Sequence, residues 1–204
     1  MADDADKGAA GSLVELVTIV AVALGLALGI QAFLVKPFRI PSESMVPTLA
    51  VGQRVLVDRA TTRFNDPSVG DVLVFKPPRG ADENRCGVRR PAETPCPQGT
   101  GDRSDMNFIK RVVAVEGDKI SVKRGRVYLS GELQEKEAKF IRPSADCPTC
   151  NLPREITIPE NHVYMMGDNR GESADSREWG PVPEKWLIGN AFVMYWPPGR
   201  VGGL

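Results

Sequence analysis

The apolar run from Ser12 to Val35, SLVELVTIVAVALGLALGIQAFLV, constrains this chain more than any other segment. Only Glu15 and Gln31 interrupt it with strongly polar side chains, and both lie near its ends. About 20 apolar residues in a helix that rises about 1.5 Å per residue cross a hydrocarbon core of about 30 Å. The run is therefore long enough for a transmembrane helix and predicts an anchor at residues 12–35.

A cleaved secretory signal and a buried core helix are the alternative interpretations of this run. The apolar part of a signal is usually only about 7 to 15 residues long, and no clear small-x-small cleavage site follows Val35. We therefore expect a retained anchor. It divides the chain of 204 residues into a tail at 1–11, the anchor at 12–35 and one domain at 36–204.

Composition bears on the partners of this domain. The chain has 26 Lys and Arg residues against 26 Asp and Glu residues, so its formal net charge is zero. Such a balance creates no overall field that would hold a polyanion. We expect no nucleic-acid partner.

Charges and cysteines predict opposite orientations in the membrane. Lys36 and Arg39 follow the anchor, whereas acidic residues outnumber Lys7 before it, and the positive-inside rule then weakly places the domain in the cytoplasm. Paired cysteines instead suit an oxidising compartment outside the membrane. The chain has two sequence-local pairs, Cys86 with Cys96 and Cys147 with Cys150.

The cysteines predict local disulfides, although a zinc site and free or redox-active thiols remain alternatives. The CPTC segment at 147–150 has the two-residue spacing of a zinc ligand pair. The spacing from Cys86 to Cys96 is far too wide for the other half of such a site.

Short runs with strand character dominate the chain after the anchor. They alternate in polarity or are rich in β-branched residues, and turn residues bound them. No sustained helical period appears among them, so the domain is predicted to be mostly β with antiparallel connections. The runs are 54–60, 71–78, 108–117, 119–131, 162–168 and 191–198.

Two regions interrupt these runs. Residues 78–105 are rich in proline, glycine and charge, which predicts an exposed loop stapled by Cys86 and Cys96. A second turn-rich region, residues 144–153, contains the CPTC pair.

The segment RIPSESMVPTL, Arg39 to Leu49, is either a linker or a catalytic loop with a serine nucleophile. The single histidine, His162, lies at a turn-to-strand junction where a polar residue usually only caps the turn. Lysine is the other base that can activate a serine, if an apolar site lowers its pKa from about 10.4 by roughly 2 to 3 units.

Lys110 meets that requirement best, although most strand lysines are simply solvated. On a strand, Phe108, Lys110, Val112 and Ala114 share one face, so its neighbours are aromatic and aliphatic. Arg111 faces the other way and stays protonated, so it cannot act as the base.

The segment GDNRGESADSREWGPVP, residues 167–183, follows an apolar strand and has two interpretations. It is either a solvated loop or a polar network that holds a buried base through hydrogen bonds and an internal salt bridge.

Taken in order after an apolar run, PSESMVPTL, VGDVLVF, FIKRVVAVEGD and GDNRGESADSR closely resemble the motifs of bacterial type I signal peptidases. The resemblance implies a serine–lysine dyad, with Ser44 as nucleophile and Lys110 as general base. It also implies an oxyanion hole formed by the Ser44 backbone N–H and the Ser42 hydroxyl.

The resemblance extends to supporting and substrate-binding residues. Ser173 corresponds to the hydroxyl that orients the lysine, and Asp175 and Arg177 to a supporting carboxylate and its ion-pair partner. The family binds an extended substrate and prefers small residues such as alanine one and three positions before the cut. The matching pocket walls are Phe38, Ile40, Pro41, Met45, Leu49 and Ile109.

The implied protein is a membrane-anchored serine endopeptidase with a catalytic antiparallel β-sheet and a small β insertion. It removes signal peptides from exported preproteins and needs neither a metal nor an organic cofactor. Its partners are signal peptides, the lipid bilayer and, as a further candidate, the secretion translocon. The family topology places the N-terminus in the cytoplasm and the catalytic domain outside the cell membrane.

Two alternatives stay open from the sequence. One is a specialised relative that processes a narrow substrate set, and the other is a catalytically silent, membrane-tethered β-domain that binds extended peptides. The presence of both Ser44 and Lys110 counts against the second, because a binding module has no need to bury a lysine.

Overall fold

The computed structural model describes residues 14–26, 28–29, 34–60, 64–134 and 147–204. A helix, α1, covers residues 14–26 and 28–29, and apolar side chains along it are exposed. Within the described ranges, no helix combines the length and the hydropathy needed to cross a bilayer. The anchor predicted at 12–35 lies partly outside these ranges, at residues 12, 13, 27 and 30–33.

Antiparallel strands are the main regular secondary structure from residue 35 onward, as the sequence predicts. The strands are β1 (Val35–Arg39), β2 (Arg54–Asp58), β3 (Val72–Phe75), β4 (Phe108–Ala114), β5 (Lys119–Lys123), β6 (Arg126–Leu129), β7 (Glu132–Leu133), β8 (Leu152–Thr157), β9 (His162–Met166), β10 (Val182–Pro183), β11 (Leu187–Trp196) and β12 (Gly202–Gly203). One short helix, α2 (Ser176–Trp179), lies between β9 and β10.

The strands form two sheets of unequal size. The larger has eight strands in the order β1-β2-β11-β3-β4-β9-β10, with β12 added to β11. The smaller has four strands in the order β7-β6-β5-β8 and corresponds to the predicted small β insertion. The chain leaves the large sheet after β4 and returns to it at β9, so the small sheet is inserted between two neighbouring strands.

Strand β4 places the predicted base on the sheet. It pairs with β3 in a register that sets Lys110 opposite Leu73 and Phe108 opposite Phe75. Leu73, Phe75 and Val112 pack in one buried cluster, and Phe108 packs against it. The face predicted for Lys110 is therefore apolar.

A register shift ends this alternation. It lies between Val112 and Ala114 in the pairing of β4 with β9. Because such an irregularity turns the following side chains relative to the preceding ones, Ala114 packs in a different cluster, with residues of the small sheet. The predicted shared face thus holds for Phe108, Lys110 and Val112 and ends before Ala114.

The region 78–105 is only partly the exposed loop that its composition predicts. It joins β3 to β4, and residues 82–89 are mostly exposed, but Thr94 and Cys96 are buried. Backbone hydrogen bonds explain the difference, because the Cys96 N–H donates to the Arg177 carbonyl of α2 at 3.0 Å. The insert, whose composition is typical of a solvated loop, therefore packs in part against α2.

Candidate active site

The candidate nucleophile lies on a tight 3₁₀ turn, Glu43–Met45. Met45 and Leu49 have no exposed surface and pack in a core cluster under the large sheet. These two side chains fix the turn, while Ser44 keeps 7% of its surface exposed. The hydroxyl oxygens of Ser42 and Ser44 lie 3.2 Å apart, so one hydroxyl can donate a hydrogen bond to the other.

The candidate base is buried in apolar surroundings. Lys110 is 5% exposed, and its Nζ lies 6.0 Å from the centroid of the Phe108 ring. Burial lowers the pKa of Lys110 to about 8; the charge of Asp175 opposes this shift and that of Arg177 adds to it. Strand β4 runs beside the Glu43–Met45 turn, so this amine and Ser44 border the same groove.

Asp175 and Arg177 form a buried ion pair next to the lysine. Arg177 Nε donates to Asp175 Oδ1 at 2.7 Å and Nη2 donates to Oδ2 at 2.8 Å, and neither side chain is exposed. Asp175 also caps α2 and accepts the Gly167 N–H at 3.1 Å. Burial by itself raises the pKa of Asp175, but the charge and hydrogen bonds of Arg177 outweigh it and lower that pKa.

Gly167 joins the nucleophile turn to the loop that carries the ion pair. A Cβ atom at this position would collide with the Ser173 hydroxyl and with the Ser44 carbonyl. Only glycine allows this approach. The Asn169 N–H then donates to the Ser44 carbonyl at 3.0 Å, which attaches the two segments directly.

Ser173 is the third predicted supporting residue. It is 7% exposed, and its hydroxyl has no hydrogen-bond partner within the described part of the chain. A buried hydroxyl without a partner is costly, so such groups in native proteins usually have a role. Ser173 Oγ is thus a donor available beside the groove.

The groove itself has a volume of about 710 Å³ and contains both Ser44 and Lys110. Four of the predicted pocket residues line it, namely Phe38, Ile40, Pro41 and Ile109. Met45 and Leu49 do not line it, because the turn directs both side chains into the core behind the groove. Residues that the sequence did not predict as pocket walls complete the lining: Arg39, Val74, Met106, Asn107, Phe108, Glu172 and Ala174.

The remaining predicted residues lie away from this groove. His162 lines a separate cleft with Glu184 and Trp186, and its Nδ1 lies 2.6 Å from the Glu160 carbonyl oxygen. Disulfide bonds join Cys86 to Cys96 and Cys147 to Cys150. Within the described ranges, no three His, Cys, Asp or Glu side chains are arranged to hold a metal ion.

Comparison with known proteins decides the family. Residues 13–196 match the family model described as signal peptidase, peptidase S26. The chain belongs to the signal peptidase family. It is 36% identical to a probable signal peptidase I-1 of Synechocystis over 190 residues. This alignment covers 93% of this chain and 86% of the relative. A signal peptidase I of Leptolyngbya laminosa is 34% identical, with 94% of this chain and 84% of the relative covered.

More distant relatives carry similar names. A signal peptidase I of Pseudomonas aeruginosa is 32% identical over 89% of this chain and 72% of the relative. Among solved structures, a signal peptidase I of Enterococcus faecalis is 19% identical and has a TM-score of 0.38, with 62% of this chain and 97% of that chain covered. At that TM-score the likeness does not bear on the assignment.

The sequence did not predict one cluster of hydrogen-bonded side chains near the site of this signal peptidase family member, formed by Arg111, Asp168 and Thr48. Arg111 donates to both oxygens of Asp168, at 2.8 and 2.7 Å, and Asp168 also accepts the Thr48 hydroxyl. Through Thr48, this group connects the segment that carries Ser44 to β4, on the face of β4 opposite Lys110. All three residues lie within the motifs that carry the resemblance. Their place in these motifs was the only sign in the sequence that they support the site.

Proposed function

We propose that this chain is a membrane-anchored serine endopeptidase that cleaves signal peptides from exported preproteins, with Ser44 as nucleophile and Lys110 as general base. The observation that carries the proposal is a buried lysine with a pKa of about 8 in the same groove as a serine on a tight turn. At pH 7 about a tenth of such side chains are neutral, against fewer than about one in a thousand at the ordinary value.

The groove suits an extended peptide. Strands β1, β3 and β4 contribute much of its apolar lining, and several of the lining side chains are bulky. A peptide laid along it presents alternate side chains to the walls, which favours alanine at two positions separated by one residue. Phe38, Ile40 and Ile109 are the walls that this specificity requires, while Met45 and Leu49 support them from behind.

The proposed reaction has two stages. The neutral Lys110 amine takes the proton of Ser44 Oγ as that oxygen attacks the scissile carbonyl carbon. The Ser44 N–H and the Ser42 hydroxyl stabilise the resulting oxyanion. Lys110 then donates its proton to the leaving amine, and the C–N bond breaks to give an ester on Ser44.

Water completes the cycle. Lys110, neutral again, takes a proton from the water as its oxygen attacks the ester carbonyl, and then returns a proton to Ser44 Oγ as the ester bond breaks. Ser173 orients the amine through its hydroxyl, and the Asp175–Arg177 pair fixes the loop that carries Ser173. No step requires a metal or an organic cofactor.

The proposed anchor is the apolar run at 12–35. Support for it comes from α1, where side chains such as Leu16, Ile19 and Leu24 are each more than half exposed, at 57%, 59% and 58%. Exposed apolar surface of this kind calls for a lipid or protein environment. A reporter fused after Leu204 tests the orientation: activity only outside the cytoplasm supports the proposal, and activity only inside it contradicts the proposal.

The first test is cleavage of an alanine-x-alanine preprotein by the full-length protein and three variants. Ser44→Ala removes the nucleophile, and Lys110→Met keeps an unbranched side chain of nearly the same length but removes the amine. Each is expected to lose at least about 100-fold in rate, the lower end for general-base catalysis. His162→Ala is the matched control and keeps the parent rate, since His162 lies in another cleft.

The pH dependence of the parent adds a second readout. Because only the neutral amine accepts a proton, kcat/KM is expected to rise with pH and to level off above about 8, the pKa of Lys110. Cleavage by Lys110→Met at the parent rate would contradict the mechanism. Binding without cleavage by all four proteins would favour the peptide-binding domain, and cleavage of a single preprotein only would favour the specialised relative.

A further inference from the structure

The insert at residues 78–105 contacts the loop that supports the candidate base. Arg90 Nη1 donates to the Arg177 carbonyl at 2.6 Å and to the Thr94 carbonyl at 2.8 Å. The Cys96 N–H donates to the same Arg177 carbonyl at 3.0 Å. Two donors from the insert thus meet on one backbone oxygen of α2, and one of them is a charged guanidinium, which makes the stronger kind of hydrogen bond.

The insert and the end of α2 are also in close backbone contact. Gly180 ends the helix at a φ of +93°, and a Cβ atom there would come within 2.5 Å of the Gly99 backbone nitrogen. No side chain can separate the two segments at this point. The insert is therefore packed against the helix, and the disulfide between Cys86 and Cys96 closes the loop that carries Arg90.

Arg177 connects this contact to the candidate base. Its carbonyl is held by the insert, while its guanidinium holds Asp175 and donates to the Ser173 carbonyl at 3.1 Å. Asp175, Arg177 and Asp168 are the charged groups that act on Lys110, and all three lie between the end of β9 and the end of α2. A displacement of Arg177 would therefore move both the charges that act on Lys110 and the backbone of Ser173.

We propose that Arg90 is a positioning residue for the reaction: by holding the Arg177 carbonyl, it fixes the Asp175–Arg177 pair and Ser173 against Lys110. The inference rests on the proposed role of Lys110. It assigns to the cysteine-stapled insert a function in catalysis, exerted from outside the groove, because Arg90 does not line the groove. In Arg90→Ala, the helix end loosens and water reaches the lysine.

The test compares the full-length parent with Arg90→Ala, Arg90→Lys and the control Arg89→Ala, which removes the exposed neighbouring charge. For Arg90→Ala we expect kcat to fall by up to about 100-fold, as for a small misplacement of catalytic groups, with KM unchanged. The rising limb of its pH–rate profile moves to higher pH, because hydration of Lys110 removes part of the burial that lowers its pKa.

The other variants separate positioning from mere stability. Arg90→Lys retains a charged donor and recovers part of the rate, and Arg89→Ala behaves as the parent. An Arg90→Ala protein that is less stable but has the parent's kcat and rising limb would overturn the inference. If Arg90→Ala does not fold, Arg90→Met, which keeps the aliphatic stem but has no donor, takes its place: the parent's kcat and rising limb overturn the inference, and a lower kcat with a shifted limb supports it.

Failure of this inference and failure of the proposed function give different results. If Lys110→Met still cleaves the preprotein, the proposed function is wrong, whatever Arg90 does. If Lys110→Met is inactive and Arg90→Ala matches Arg89→Ala, the dyad stands and only the role of Arg90 is rejected.

Discussion

The two segments that surround the candidate dyad are held in different ways. The nucleophile segment, residues 40–53, is fixed by apolar side chains, with Ile40, Met45 and Leu49 buried in one cluster. The charged loop, residues 167–180, is fixed by buried ions, with Asp175 and Arg177 fully enclosed. One segment is held mainly by the hydrophobic effect and the other by electrostatics and hydrogen bonds.

The proposed serine–lysine mechanism accounts for this difference. A serine nucleophile needs only a fixed position, which apolar packing supplies at any pH. A lysine base also needs a tuned pKa, and this requires burial balanced by nearby charges. The charged loop supplies those charges, so its own stability depends on pH and on both partners of the ion pair being present.

The largest expected effect comes from breaking the ion pair on one side. In Asp175→Asn the Arg177 charge stays buried without its partner, and we expect the free energy of unfolding to fall by about 3 to 5 kcal/mol at pH 7. The folded-state pKa of Asp175 lies below its ordinary value of 3.8, so the parent holds this contribution above that pH and loses it as the pH falls further.

Chemical unfolding of the parent and of Asp175→Asn at pH 7 and at acid pH checks this sign. The stability difference should shrink toward low pH. A difference that stays constant down to pH values well below about 4 would show that the pair contributes no pH-dependent stability.

Met45→Ala is the matched substitution in the nucleophile segment. Met45 has no exposed surface, so truncation leaves a cavity and should cost about 2 to 5 kcal/mol, as for other buried methionines. No titrating group is removed, and the loss should therefore be the same at pH 5 and pH 8. A loss that varies strongly between these values in urea unfolding would mean that the two segments are coupled rather than separate.

Lys110→Met should make the protein more stable while abolishing cleavage. Burial disfavours the charged amine, and lowering its pKa from 10.5 to about 8 corresponds to a cost of up to about 3 kcal/mol at neutral pH. The penalty is complete below pH 8 and disappears as the pH approaches 10.5, where the unfolded chain also loses this proton. Unfolding at pH 7 should show the gain and unfolding near pH 10 a much smaller one; a variant less stable than the parent at pH 7 contradicts this prediction.

The smallest effect is expected at the remaining alternative base. His162→Ala should leave kcat/KM within about a factor of two of the parent, because a surface change away from the site shifts free energies by only about 0.5 kcal/mol. Its ring contacts the Glu160 carbonyl in a separate cleft. A large loss of rate at constant stability would move the base from Lys110 to this cleft.

The sequence predicted the strands of the large sheet better than the role of the connections. Strands β2, β3, β4 and β9 begin within one residue of the predicted runs, because period-two patterns and β-branched residues mark a half-buried strand directly. Strands β1, β10 and β12 were not predicted. They are short or proline-containing, and only pairing with a neighbouring strand defines them.

Composition was least informative for the insert at 78–105. Its prolines, glycines and charges are typical of a solvated loop, yet Thr94 and Cys96 are buried. Arg90 has no sequence signal for a role beside Arg177, because the two are far apart in the chain and their contact is a bond to a backbone carbonyl. A hydrogen bond to a backbone carbonyl does not depend on the side chain of its acceptor residue, so it leaves no pattern in the sequence.

The sequence by itself determined the apolar run, the mostly β domain and the motifs that carry Ser44, Lys110, Ser173, Asp175 and Arg177, since each of these depends on local residue type and spacing. Only the tertiary structure decided which groups meet. It placed Met45 and Leu49 behind the groove, paired Arg111 with Asp168 and set Arg90 on α2. These contacts join distant segments, and their energies depend on burial and approach, which become defined only when the strands pair.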